Sequence, residues 1–230
     1  MVRELVLIRH GVTLWNKGRR LQGHQDVGLS DEGLQQVEAL RRWALRLAPP
    51  AALYSSDLRR ARDTALPLST GWELPLRETF ALRERGFGIY EGQDWDHVHD
   101  ILEREAAAVG VSPQHYAPRG GESRQQVEQR LSDFLQYLDQ HHAEECVCLV
   151  SHGGVIRNLL RRLLANETEH LLSGFHIPNT SVSRLRRQGV GWVSVELVSV
   201  QHLGLAESDG STSSLISWQD ESEQPSSHQR

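Results

Sequence analysis

Two segments far apart in the chain end in nearly the same way: LVLIRHG at residues 5–11 and CLVSHGG at residues 148–154. Each is a short apolar run without helical period that stops at a histidine followed by glycine, the pattern of a strand buried on both faces. In an open parallel sheet, ligands sit beyond the carboxyl ends of the strands, and neighbouring strands lie only about 4.8 Å apart. If the two runs are neighbours, His10 and His152 face one shared site. The glycine after each histidine lets a ligand approach the backbone.

The rest of the chain supplies the helices that such strands need. Ser30 reads as an N-cap with Asp31 and Glu32 in the first turn, and Leu34, Val37, Leu40, Ala44 and Leu47 form a helical stripe that stops before Pro49. AALYSS (51–56) reads as a strand leading into a helix from Asp57 to about Ser69, and CVCLVS (146–151) as a strand leading into a helix from Val155 to Ala165. Strands alternating with helices imply a mostly parallel sheet covered on both faces. Residues 94–142 read mainly as helix, broken by a Pro/Gly-rich loop from Gly110 to Gly121, and are expected to form an inserted lid. Ser181–Arg187 and Trp192–Val200 flank QGVG as a terminal hairpin.

Charge and composition exclude several classes. Of the net charge of −5, residues 206–230 carry −4, with five acids and eight serines against Arg230. That segment is expected to be a disordered acidic tail behind one catalytic domain of residues 1–205. The nearly neutral body argues against a nucleic-acid partner. No apolar run approaches the roughly 20 residues of a membrane span or forms a signal core, so a cytoplasmic protein without a membrane partner is expected. Cys146 and Cys148, two apart on one strand face, are expected to be reduced core residues.

A histidine pair at one site serves either metal binding or phosphoryl chemistry. A metal would want a third ligand close by, and Arg9, adjoining His10, repels a cation but suits an anion. SSDLRRARDTA brings a third strand end into a helix whose first turn carries Arg59 and Arg60. A helix N-terminus with guanidinium groups is a phosphate site by dipole and by bidentate hydrogen bonding. Spacing does not choose between the two arginines. Transfer of a phosphoryl group to imidazole leaves an alkoxide, which departs more easily when a carboxylic acid protonates it. LRERGFGIYEG, a glycine-containing loop after an expected strand end, offers Glu84 and Glu91, again without a choice.

RHG followed by Thr13 and Asn16, then LQGHQDVGLSDEG, SSDLRRARDTA, LRERGFGIYEG, GGES and VSHGG, in that order, resemble the histidine phosphatase superfamily in its phosphoglycerate-mutase-like branch. The resemblance spans about residues 4–205. It implies an α/β fold, a three-layer α/β/α sandwich with a mostly parallel central sheet, and neither metal nor cofactor. It also implies that His10 is the nucleophile that becomes phosphohistidine, that Arg9, Arg60 and His152 form the phosphate pocket, and that Glu84 donates the proton. Thr13, Asn16, Gln22, Gly23 and Gly153 fall where relatives contact phosphate or substrate. Val12 stands where many relatives carry glutamate and Tyr90 where many carry tryptophan, departures that bear on substrate choice.

The activity implied is metal-independent hydrolysis of small-molecule phosphate monoesters through a phosphohistidine. A phosphoglycerate mutase using the same phosphohistidine is the alternative, and an inactive relative that binds phosphorylated ligands is a third. Residues 93–119 hold Asp94, Asp96, Asp100, Glu103 and Glu105 against Arg104 and Arg119, an acidic lid expected to disfavour a second phosphate. Arginines beside His10 should keep its imidazole neutral, whereas Arg83 and Arg85 should favour the carboxylate form of Glu84.

Overall fold

The computed structural model describes residues 1–164 and 176–204, so the acidic tail lies outside the described residues. Its elements run β1 (Glu4–Arg9), α1 (Leu14–Lys17), α2 (Asp31–Ala44), β2 (Ala52–Ser56), α3 (Arg59–Trp72), β3 (Leu76–Thr79), α4 (Trp95–Ala108), α5 (Arg124–His141), β4 (Cys146–Ser151), α6 (Gly153–Leu163), β5 (Val182–Gln188) and β6 (Gly191–Ser199). The six strands form one sheet in the order β3-β2-β4-β1-β5-β6. The first four in that order are mutually parallel, and β5 and β6 close the edge as an antiparallel hairpin. The two matched runs are therefore neighbours: Arg9 stands opposite Ser151, and the His10 amide donates to the Ser151 carbonyl at 2.9 Å.

Helices cover both faces. On one face, Leu40 and Ala44 of α2 and Ala61, Ala65 and Leu68 of α3 pack on Ile8, Leu53, Cys148 and Val150. On the other, Val127, Leu131, Phe134 and Leu138 of α5 and Val155, Ile156, Leu159 and Leu160 of α6 pack on Leu5, Leu7, Val147 and Leu149. Each large apolar side chain so buried contributes about 1.5–3 kcal/mol. The result is the three-layer α/β/α sandwich, with both cysteines free.

Three expectations need correction. Ser30 caps α2, its hydroxyl accepting from the Gly33 amide at 3.2 Å, but Leu34 and Leu47 are 54% and 42% exposed. The buried stripe is Gly33, Val37, Leu40 and Ala44, because Gly33 rather than Leu34 faces the Val12 carbonyl, too closely for any Cβ. The helix starting after β2 begins only at Arg59 and runs on through Pro67 to Trp72. Finally, α5 belongs with α6 to one layer of the sandwich. Within residues 94–142 only α4 belongs to a lid, where Val98 and Leu102 pack on Leu21, Phe87 and Tyr90 in a separate cluster. No helix among the described residues is long and apolar enough to cross a membrane.

Candidate active site

The carboxyl ends of β1 and β4, the first turns of α3 and α6 and the loop after β3 surround a cavity of about 390 Å³. Among the described residues its wall carries five arginines, Arg9, Arg19, Arg20, Arg60 and Arg157, and one acid, Glu84. Such a wall selects a small ligand of high negative charge.

His10 is buried at the end of β1. Its Nδ1 lies 2.7 Å from the Gly11 carbonyl. A carbonyl oxygen only accepts, so Nδ1 carries the proton and Nε2 keeps its lone pair. Burial, and then the guanidinium groups of Arg60 and Arg9, hold the His10 pKa well below the usual histidine range. The imidazole is a neutral base whose Nε2 has no hydrogen-bond partner among the described residues.

His152, at the end of β4, is fully buried and precedes α6. Its Nδ1 accepts from Arg60 Nε at 3.1 Å, which places its proton on Nε2, 2.9 Å from Ser56 Oγ. Burial and Arg60 lower its pKa in the same way. Arg60 is only 1% exposed and is further fixed by the carbonyls of Gly23 and Gln25, each at 2.9 Å. Arg59 points outward: its Nε pairs with Asp63 at 3.3 Å on the exposed face of α3. Burial pulls the pKa of both Arg9 and Arg60 down to about 10, leaving them cationic at neutrality. Arg9 donates to the Ile177 carbonyl, and its buried Nε has no partner among the described residues.

Glu84 and Glu91 part company. Glu84 lines the cavity, where Oε2 accepts from the Gly154 amide at 2.9 Å and Oε1 from the Arg85 amide at 3.0 Å. Glu91 is spent on the loops, its Oε1 accepting from the amides of His24 and Phe87 at 2.8 and 2.9 Å. The arginines that flank Glu84 in sequence turn away from it. Arg83 holds Asp57 through two 2.7 Å bonds, and Arg85 donates to the carbonyls of Glu122 and Tyr116.

Of the remaining expected contacts, Asn16, Gln22, Gly23 and Gly153 line the cavity. Thr13 does not line it. It is fully buried and caps α1 in a reciprocal pair with Asn16, which fixes Asn16 Oδ1 and leaves the amide nitrogen as the available donor. Val12 and Tyr90 are buried away from the wall, and the Tyr90 and Tyr116 hydroxyls clasp Glu105 of α4. Sequence reasoning missed Arg157, His176, Trp15, Phe87 and Trp95 on the wall. Arg157 had a usable signal, since it lies one helical turn after Gly153 and therefore on the same face. Among the described residues no three His, Cys, Asp or Glu side chains are grouped as a metal ligand set.

The histidine phosphatase superfamily (branch 1) profile matches residues 5–199. The metal-independent phosphoserine phosphatase of Arabidopsis thaliana is 35% identical over 206 residues, covering 88% of this chain and 84% of that protein. The glucosyl-3-phosphoglycerate phosphatase of Mycolicibacterium vanbaalenii is 38% identical over 175 residues, covering 71% and 75%. A solved mycobacterial glucosyl-3-phosphoglycerate phosphatase in complex with VO3 superimposes with a TM-score of 0.70 at 33% identity, covering 84% of this chain and 98% of its own. A neutral histidine set among buried arginines, on this sheet and in this order of motifs, therefore makes the chain a member of the histidine phosphatase superfamily, branch 1.

Proposed function

We propose that the chain hydrolyses small-molecule phosphate monoesters with His10 as nucleophile and Glu84 as proton donor. The observation that carries this reading is the hydrogen bond from His10 Nδ1–H to the Gly11 carbonyl, which presents Nε2 to a cation-lined cavity. In the first step Nε2 attacks phosphorus in line, the bond from phosphorus to the leaving oxygen breaks, and protonated Glu84 gives that oxygen its proton. Arg9, through its buried Nε, and Arg60, held against His152, stabilise the charge spread over the transferring group. The positive charge a metal would bring is supplied by these guanidiniums. In the second step the Glu84 carboxylate takes a proton from water, the water oxygen attacks the phosphohistidine, and phosphate leaves with His10 regenerated.

The test is His10→Ala, read by turnover and by trapping an acid-labile phosphoenzyme from a labelled monoester. Loss of both is expected, and retained turnover overturns the role of His10.

The wall also favours a second reading. The acids expected to repel a second phosphate do not face the cavity: Asp94 caps α4, Asp96 pairs with Arg19 at 2.6 Å, and Glu105 is held by two tyrosines. Arg20 lines it, as does Arg19 with its Asp96 partner, so an anionic product could be retained long enough to take the group back, as a mutase requires. Partition of labelled phosphoenzyme between water and an added hydroxy acid phosphate decides between the two.

A further inference from the structure

Two glycines open α6, and their surroundings differ. A Cβ at Gly153 would meet Arg9 Nε and Cζ at 3.4 and 3.5 Å, ordinary van der Waals distances. A Cβ at Gly154 would press into Glu84 Oε1 and lie 3.1 Å from both Cδ and Oε2. Glycine is a poor helix former and alanine the best, so an early helical glycine without a left-handed backbone calls for another cause. The backbone at Gly154 does not require glycine, since its φ lies outside the left-handed region. The cause on view is the carboxylate. It sits in the space a side chain would fill and is tied there by the Gly154 amide on Oε2, with the Arg85 amide on Oε1.

We infer that Gly154 is a positioning residue for the proton donor: the absent side chain makes a slot at the start of α6 in which the Glu84 carboxyl is seated, facing the leaving oxygen. This rests on the reading of Glu84 as the acid. Glu84 is the far end of a flexible side chain, so a methyl group at residue 154 displaces the carboxyl instead of the helix. His10, Arg9, Arg60 and His152 keep their own anchors, none of which involves Gly154. The defect therefore falls on the two proton transfers of Glu84, and kcat/KM reads the first of them, leaving-group protonation.

The experiment compares kcat/KM, which reports the steps up to departure of the leaving group, for an alkyl phosphate such as β-glycerophosphate and for p-nitrophenyl phosphate, whose leaving group needs little protonation. Gly154→Ala is expected to lower the alkyl value by about 10²-fold, within the range for loss of a general acid, and the aryl value by only a few-fold. Glu84→Gln is the reference, with about 10² to 10⁴ on the alkyl ester and less on the aryl one. Adding Gly154→Ala to Glu84→Gln should cost nothing further on either substrate, because the seated group no longer carries a proton to place.

Equal losses on both substrates in Glu84→Gln would overturn Glu84 as the acid. Selective loss in Glu84→Gln together with equal losses, or none, in Gly154→Ala would overturn the slot and leave the acid standing. Should Gly154→Ala fail to fold, Glu84→Ala in the same chain empties the slot and is expected to restore folding. Persistent misfolding of that double variant also overturns the assignment.

Discussion

The rings of His10 and His152 lie 5.1 Å apart, centroid to centroid, at 58°, and they are held in opposite tautomers. His10 gives its Nδ1 proton to the Gly11 carbonyl and presents Nε2 bare, whereas His152 receives Arg60 on Nδ1 and turns its Nε2 proton to Ser56. Two residues of one type, at matched positions on neighbouring strands, are thereby given different work. One is left with a lone pair to share; the other has both nitrogens engaged and orients a guanidinium.

That division makes Arg60 irreplaceable in a way Arg59 is not. The Arg60 guanidinium reaches two carbonyls and an imidazole nitrogen at once, a fork that a lysine ammonium cannot reproduce. Arg60→Lys is expected to lower kcat/KM by about 10²- to 10³-fold, the range for losing one preorganised donor to a developing charge. Arg59→Ala, on the exposed side of the same turn, should change activity by no more than about twofold and stability by less than about 0.5 kcal/mol. Steady-state rates of the two purified variants check this, and similar losses in both would reverse the assignment.

Glu91 should behave as a structural residue. Its Oε1 ties the amides of His24 and Phe87 together, and Gly23, with φ of +50°, passes so close that a Cβ there would strike the carboxylate and lie 2.7 Å from its Cδ. Glu91→Ala leaves two amides unpaired, each costing about 1–3 kcal/mol if it stays buried. A lower melting temperature is expected, with the ratio of alkyl to aryl kcat/KM unchanged. A shifted ratio would give Glu91 a share in proton transfer.

How much of this was readable beforehand follows the range of the interactions. The matched ends of β1 and β4 and the Ser30 cap were legible because strand period and cap chemistry are local. β3 was legible only as a strand end ahead of Glu84, and its bounds were not, since LRET is half exposed and shows no buried alternation. Arg59 and Arg60 are adjacent on a helix, so which one turns inward is set by Gly23 and Gln25, 37 and 35 residues away. Glu84 and Glu91 were equivalent for the same reason, and the amides that separate them belong to α6 and to the His24 loop. Thr13 follows a motif that places it near the substrate, yet local capping consumed its hydroxyl. Trp15 and Trp95 reach the wall only because the fold brings α1 and α4 to the same cavity.

The two histidines also set a pH dependence of stability. Both have folded-state pKa values depressed well below 6.5, first by burial and then by neighbouring arginines, while in the unfolded chain each titrates near 6.5. Above that pH both states hold neutral imidazoles, and stability does not depend on them. Below it the unfolded chain takes up protons that the folded chain refuses, so the folded state loses up to about 1.4 kcal/mol per pH unit for each histidine. His202, drawn down to about 4 by burial, adds to the loss between 6.5 and 4. Chemical denaturation from pH 7.5 to 4.5 is expected to show stability level above 6.5 and falling below it. The fall should be shallower in His152→Gln, which removes one of the groups. An unchanged slope in that variant, or level stability down to pH 5, would mean that the folded site accepts the proton and that His10 and His152 are not held neutral by burial and the arginines around them.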